Sequence, residues 1–211
     1  MYDLILFDLD GTLLDSDQMI IETFKELYPL YRPGYFPSVE HILSFSGPQI
    51  TETLKKEFPD GDQELLLKEF RERSTKNYVK YSKLYDGVEE LLKKLIQKNI
   101  KFGVVTNKHR YATNYTYQLF GIDGLIPFTV CADEVEHLKP AGEGILQCMK
   151  HFNVKDPQKV LYVGDGLIDY QTAKNAGVKF GYVTWSTRPI SEDIPVDVFI
   201  DNYQQFLEEI L

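Results

Sequence analysis

Leu4-Ile5-Leu6-Phe7-Asp8-Leu9-Asp10-Gly11-Thr12 sets an unbroken apolar run against an abrupt polar turn. The apolar part has the length and composition of a short strand buried on both faces. A strand that stops at Asp-x-Asp-Gly delivers two carboxylates to its carboxyl end, and in open parallel sheets that end is where ligands sit. The rest of the chain repeats this pattern.

Working outward, strand-like runs recur at Phe102-Gly103-Val104-Val105, Ile126-Pro127-Phe128-Thr129-Val130, Val160-Leu161-Tyr162-Val163 and Gly181-Tyr182-Val183-Thr184, with a weaker one at 196–200. Helical periodicity fills the intervals at 87–98, 110–120, 142–152, 168–176 and 203–211, several of them closed by Gly or Asn as a C-cap requires. Alternation of this kind implies parallel strands joined by right-handed crossovers. The expected fold class is α/β, a doubly wound parallel-sheet (Rossmann-like) core.

One region interrupts the alternation. Between 16 and 83 there is no strand pattern, only helical ones at 19–27, 49–58 and 63–79, punctuated by the Pro/Gly-rich stretches 31–37 and 57–62. The expected organisation is a catalytic core of residues 1–15 and 84–211 with an inserted helical cap domain, 16–83.

Composition excludes several classes. A formal charge of −9, from 23 basic and 32 acidic residues, leaves no clustered basic face for nucleic acid or an anionic membrane. Lys93-Lys94 and Lys108-His109-Arg110 read as solvated helix surface or helix ends. No apolar run approaches the roughly 18 residues of a membrane span, and the start of the chain lacks the basic region and cleavage site of a signal peptide. The expected location is cytoplasmic. With 43% hydrophobic residues, including 14 Tyr and 13 Phe, the chain can fill a core. Cys131 and Cys148 lack metal or disulfide spacing and read as buried thiols, and His41, His109, His137 and His151 are scattered without ligand spacing.

The residues that follow the other runs are as distinctive as Asp8 and Asp10. They are Thr106-Asn107, Lys139-Pro140 and Gly164-Asp165-Gly166-Leu167-Ile168-Asp169. Each alone reads as a turn, a helix cap or a surface charge. Together they bring Asp8, Asp10, Asp165 and Asp169 to one sheet edge, where like charges repel unless a cation lies among them. A site of carboxylate oxygens without histidine or thiol favours Mg²⁺. An EF-hand fails on register, because its glycine position falls on Leu13 and its bidentate glutamate position on Met19.

In this order, these four segments resemble the motifs of the haloacid-dehalogenase-like (HAD) hydrolase superfamily, and the helical stretch after the first of them is similar to the first cap type. The resemblance spans essentially the whole chain and implies an enzyme, a Mg²⁺-dependent phosphatase. It makes Asp8 the nucleophile that forms an aspartyl-phosphate, and Asp10 the acid and then base. Mg²⁺ would be held by the side chain of Asp8, the backbone carbonyl of Asp10 and the carboxylate of Asp165, with Asp169 binding directly or orienting the shell. Thr106, the amide of Asn107 and Lys139 would take the non-reacting phosphate oxygens. Gly11 lets the chain approach the phosphate, and Thr12 ties down the loop. Many relatives carry Lys-Pro-x-Pro, whereas here Pro140 is followed by Ala141 and Gly142. The start of the next helix is thereby left open.

Within that resemblance, an aspartate at position 10 implies phosphoryl chemistry over dehalogenation. Ser44-Phe45-Ser46-Gly47-Pro48-Gln49 is similar to the cap loop of phosphoglycolate phosphatases and related pyrophosphatases, which makes Gly47 and Pro48 candidate substrate contacts; a turn with Pro48 opening a helix explains the same residues. The expected substrate is a small phosphorylated metabolite, first phosphoglycolate. Pyrophosphatase, nucleotidase and β-phosphoglucomutase-like activity are the alternatives, and a non-catalytic phosphate-binding or signalling protein is the alternative of another class.

Overall fold

In a computed structural model, residues 2–210 are described. The sheet holds six strands: β1 Leu4–Phe7, β2 Phe102–Val105, β3 Thr129–Val130, β4 Val160–Gly164, β5 Lys179–Val183 and β6 Val198–Ile200. They are hydrogen-bonded in the order β3-β2-β1-β4-β5-β6, all parallel. That is the doubly wound order, whose ligand crevice opens where the winding reverses, between β1 and β4. Register brings the two ends level: Phe7 pairs with Val163, so Asp8 and Asp165 both emerge at the switch point.

The chain separates by its own contacts into two compact units, Met1–Leu14 with Leu84–Leu211, and Asp15–Lys83. In the first, β1, β2 and β4 are buried throughout, as strands covered on both faces must be. The core helices are α5 Val88–Gln97, α6 Arg110–Phe120, α7 Glu143–His151, α8 Leu167–Ala176 and α9 Tyr203–Ile210; α1 to α4 belong to the insertion. Leu4 and Leu6 join Ile145 and Cys148 of α7 and Ala173 of α8 in one apolar cluster. Phe7 meets Tyr203 of α9 edge-on at 6.4 Å.

The insertion contains α1 Asp17–Tyr31, α2 Val39–Leu43, α3 Ile50–Glu57 and α4 Gln63–Tyr81. Phe24 is fully buried among Phe45, Phe58 and Phe70, and Asn77 of α4 donates to Thr23 (3.1 Å) and Glu26 (3.2 Å) of α1. The helix α2 is not expected from periodicity. Five residues with only Ile42 buried carry no stripe, and Ser38 makes the helix start by accepting from the His41 N–H. The helix α1 runs four residues past its expected end at 27, with Tyr28 buried and Pro29 carried inside it at the cost of one backbone hydrogen bond. The expected strand 126–130 shrinks to Thr129–Val130, since Pro127 cannot donate to a ladder. Of the expected helix 203–211, Leu211 lies outside the described residues.

Candidate active site

Three carboxylates meet at the switch point. Oxygens of Asp8 (after β1), Asp165 (after β4) and Asp169 (first turn of α8) all lie within 4.8 Å of one another, and each side chain is almost fully buried. Burial pushes the Asp8 and Asp165 carboxyls above the usual carboxylate range. Lys139 opposes the shift at Asp8 and Arg188 opposes it at Asp165, while Asp169 adds to both.

Lys139 lies at the centre of the cluster, and its three ammonium donors are all used: Asp8 at 2.7 Å, Asp169 at 2.8 Å and the Tyr162 oxygen at 3.0 Å. Tyr162 stays a phenol, its hydroxyl driven upward in pKa by burial and by the acids beside it. It donates to the Val105 carbonyl or to Asp169. The side chain of Asn107 holds Lys139 from the backbone side, accepting from the Lys139 N–H at 2.9 Å and donating to its carbonyl at 3.1 Å. Sequence reasoning gave Asn107 a phosphate contact through its amide; the structure adds this lysine-positioning role for its side chain.

Arg188 donates through Nε to Asp165 at 2.8 Å, and its Nη2 contacts the same oxygen. The turn that carries it is fixed by Ser186, whose hydroxyl donates to the Asp165 carbonyl and accepts from the Arg188 N–H. Asp169 accepts from the backbone N–H groups of Asp165 and Gly166 at 3.2 and 3.3 Å. Three buried acids face Lys139 and Arg188, and every atom the three offer to a metal is an oxygen. That donor set fits a hard divalent cation.

Asp10 is not part of the carboxylate trio. Its oxygens lie 2.9 and 3.1 Å from the ammonium of Lys108. Lys108 is therefore not the solvated residue expected from the run 108–110. Thr106 is buried and its hydroxyl accepts from the Lys108 N–H at 3.2 Å. Gly11 has φ of 88°, and any Cβ there would overlap Arg188 and Asp165, so glycine is required on both counts. Thr12 ties the loop through its carbonyl, which accepts from Tyr203 at 2.8 Å, while its hydroxyl has no hydrogen-bond partner among the described residues. Gly47 and Pro48 belong to the other unit, in the turn between α2 and α3.

Without a second proline, α7 starts from a different device. Glu143 reaches back to accept from the Glu136 and His137 N–H groups, both at 2.9 Å. Gly142 lets the turn press on α8, where a Cβ would come within 2.7 Å of the Ala176 nitrogen. Gly142→Ala is expected to cost about 1–3 kcal/mol, the scale of overpacking, read by urea unfolding; an unchanged midpoint would show that α7 can shift without penalty.

Residues 5–183 match the family of haloacid dehalogenase-like hydrolases. The chain belongs to that family. Among the proteins it is similar to, "Pyrophosphatase PpaX" of Halalkalibacterium halodurans is 32% identical over 87% of this chain and 84% of its own length. The protein of the same name from Bacillus cereus is 30% identical over 96% of this chain and 94% of its own. A solved structure, "a predicted phosphoglycolate phosphatase" from Haemophilus somnus 129PT, superposes with a TM-score of 0.80 at 24% identity, covering 100% of this chain and 98% of that one. At that identity the likeness supports the fold alone. Among the described residues no helix is long and apolar enough to cross a membrane.

Proposed function

We propose that this HAD phosphohydrolase is Mg²⁺-dependent and works through an aspartyl-phosphate on Asp8, with pyrophosphate as its first substrate and phosphoglycolate as its second. The observation that carries the reaction class is Asp8 itself, a buried carboxylate held at 2.7 Å by the Lys139 ammonium beside two further acids. Pyrophosphate moves ahead of phosphoglycolate because the relatives at 30% identity or more are named pyrophosphatases. The resemblance of the 44–49 loop supports phosphoglycolate.

In this reading residues 1–15 and 84–211 are the catalytic unit, and residues 16–83, with Gly47 and Pro48, choose the leaving group. An Asp8 oxygen attacks phosphorus as the bond from phosphorus to the leaving oxygen breaks, and Asp10 supplies the proton that oxygen needs. Asp10 then takes a proton from water, the water oxygen attacks the acyl-phosphate, and phosphate leaves with Asp8 regenerated. Asp8 and Asp165, with the Asp10 carbonyl, would hold Mg²⁺, with Asp169 binding it directly or orienting that shell; when bound, the ion screens the repulsion between carboxylate and phosphate. Thr106, Asn107 and Lys139 hold the non-reacting oxygens and offset their charge.

The test is phosphate release from pyrophosphate, phosphoglycolate, sugar phosphates and nucleoside monophosphates, with Mg²⁺ or with chelator, and with products identified. Release that needs Mg²⁺ and is fastest on pyrophosphate is expected. Isomerised sugar phosphate would convert the reading to a mutase, and no turnover on any compound would remove hydrolysis.

A further inference from the structure

We infer that Lys108 makes the leaving-group side of this site select substrates whose departing fragment is itself anionic, a second phosphate or a carboxylate next to the scissile bond. The inference deepens the proposed hydrolysis and rests on it for the role of Asp10.

The Lys108 ammonium lies 2.9 and 3.1 Å from the two oxygens of Asp10, with its side chain only 10% exposed. An ordinary surface lysine keeps its charged head in water; this one is held in. Its backbone is fixed from both sides, with N–H donated to the Thr106 hydroxyl at 3.2 Å and carbonyl accepting from Ala132 at 3.0 Å. The ammonium is thus placed by the end of β2 and not by a flexible loop.

Geometry then locates its charge relative to the reaction. A leaving oxygen that takes a proton from Asp10 sits about 3 Å from that carboxylate, and so within about 6 Å of the Lys108 nitrogen. Once it has given up its proton, Asp10 alone would repel an anionic fragment at that place. Lys108 cancels the repulsion and offers a positive charge in a partly desolvated setting, where such charges act most strongly. Lys139 is bonded to Asp8, Asp169 and Tyr162, so its charge sits at the nucleophile, whereas the charge of Lys108 sits at Asp10. A neutral fragment, such as a sugar hydroxyl, gains nothing from the ammonium.

The experiment compares phosphoglycolate with 2-hydroxyethyl phosphate, whose departing alcohols are alike in size and basicity and differ in the carboxylate charge. Pyrophosphate and methyl phosphate are assayed alongside, each read only as variant against wild type, because an anhydride and an ester differ in intrinsic reactivity. Wild type, Lys108→Met and Lys108→Arg are measured with Mg²⁺. Any effect of Lys108 on proton transfer by Asp10 falls equally on phosphoglycolate and 2-hydroxyethyl phosphate, so their ratio of kcat/KM isolates the charge on the departing fragment. Wild type is expected to prefer phosphoglycolate over 2-hydroxyethyl phosphate by roughly 30-fold, the scale of one charge contact at this separation, with Lys108→Met within about 3-fold of parity and Lys108→Arg retaining most of the preference. A preference that survives in Lys108→Met, or is missing in wild type, overturns the inference.

If wild type hydrolyses none of the four, the proposed function has failed, and the Lys108 claim is then decided by binding. Calorimetric affinity for inorganic pyrophosphate should fall about 10-fold in Lys108→Met. Equal affinity in the two proteins would overturn it.

Discussion

Asp8→Asn protein is expected to lose roughly 10⁴-fold or more in kcat while unfolding at the same temperature as the parent or above it. The loss follows from covalent catalysis: an amide oxygen does not displace the leaving group from phosphorus, and removing a nucleophile costs most of what the catalytic residues jointly supply. The stability half follows from the cluster. Asp8, Asp165 and Asp169 offer oxygens within 4.8 Å of one another in a buried pocket, and burial already drives the Asp8 carboxyl upward. Asparagine removes one of three mutually repelling charges, keeps the shape, and leaves its side-chain oxygen able to accept from Lys139. Strain of this kind is characteristic of sites selected for chemistry over stability. Phosphate release and thermal unfolding measured on the same preparation check both halves, with Asp8→Ala alongside to exclude recovery by deamidation. Activity within tenfold of wild type would remove Asp8 as nucleophile, and a steep fall in unfolding temperature would show that the carboxylate serves the fold.

Much of this site can be read in the sequence because β1, β2 and β4 are short, uninterrupted apolar runs, and the doubly wound rule says where to look once they end. Asp8, Thr106 and Asp165 each stand one residue after such a run. Arg188 follows the same rule, since it lies in the turn after β5, but its chemistry depends on reaching an aspartate 23 positions earlier. No local pattern encodes that distance; the signal would have been to inspect the end of every strand, the fifth included. Tyr162 is hidden for the opposite reason. It occupies the middle of β4 where a large apolar residue fits equally well, and only the three-dimensional placement of Lys139 gives its hydroxyl a role. Lys108 reads as surface because a lysine beside His109 and Arg110 usually is, and its pairing with Asp10 spans 98 residues. The helix α2 escapes because five residues are too few for a period. Short-range patterns therefore carry the strands and the turns after them, while long-range ion pairs need the fold.

Lys139→Met is expected to damage both fold and chemistry, which separates it from Asp8→Asn. The ammonium is buried to within a few per cent and bonds Asp8, Asp169 and Tyr162 at 2.7, 2.8 and 3.0 Å. Methionine fills the space but leaves two buried carboxylates with no cation beside them from this position. Breaking a buried pair from one side costs about 3–5 kcal/mol, which in a chain of this size is a fall of roughly 6–20 °C in Tm. Activity should drop about 10²–10³-fold in addition, the scale of one removed electrostatic contact to the transferring group. Lys139→Arg should recover little of either, because a planar guanidinium cannot aim three donors at the same three acceptors. Adding Asp169→Asn to Lys139→Met removes one of the stranded charges, so the double variant is expected to regain part of the lost stability and none of the activity. A double-mutant cycle on unfolding free energy, with kcat followed in parallel, reads this coupling. Strictly additive stabilities would mean that Lys139 and Asp169 do not interact energetically. A Lys139→Met protein with wild-type Tm would mean that the cluster is not held together by this lysine.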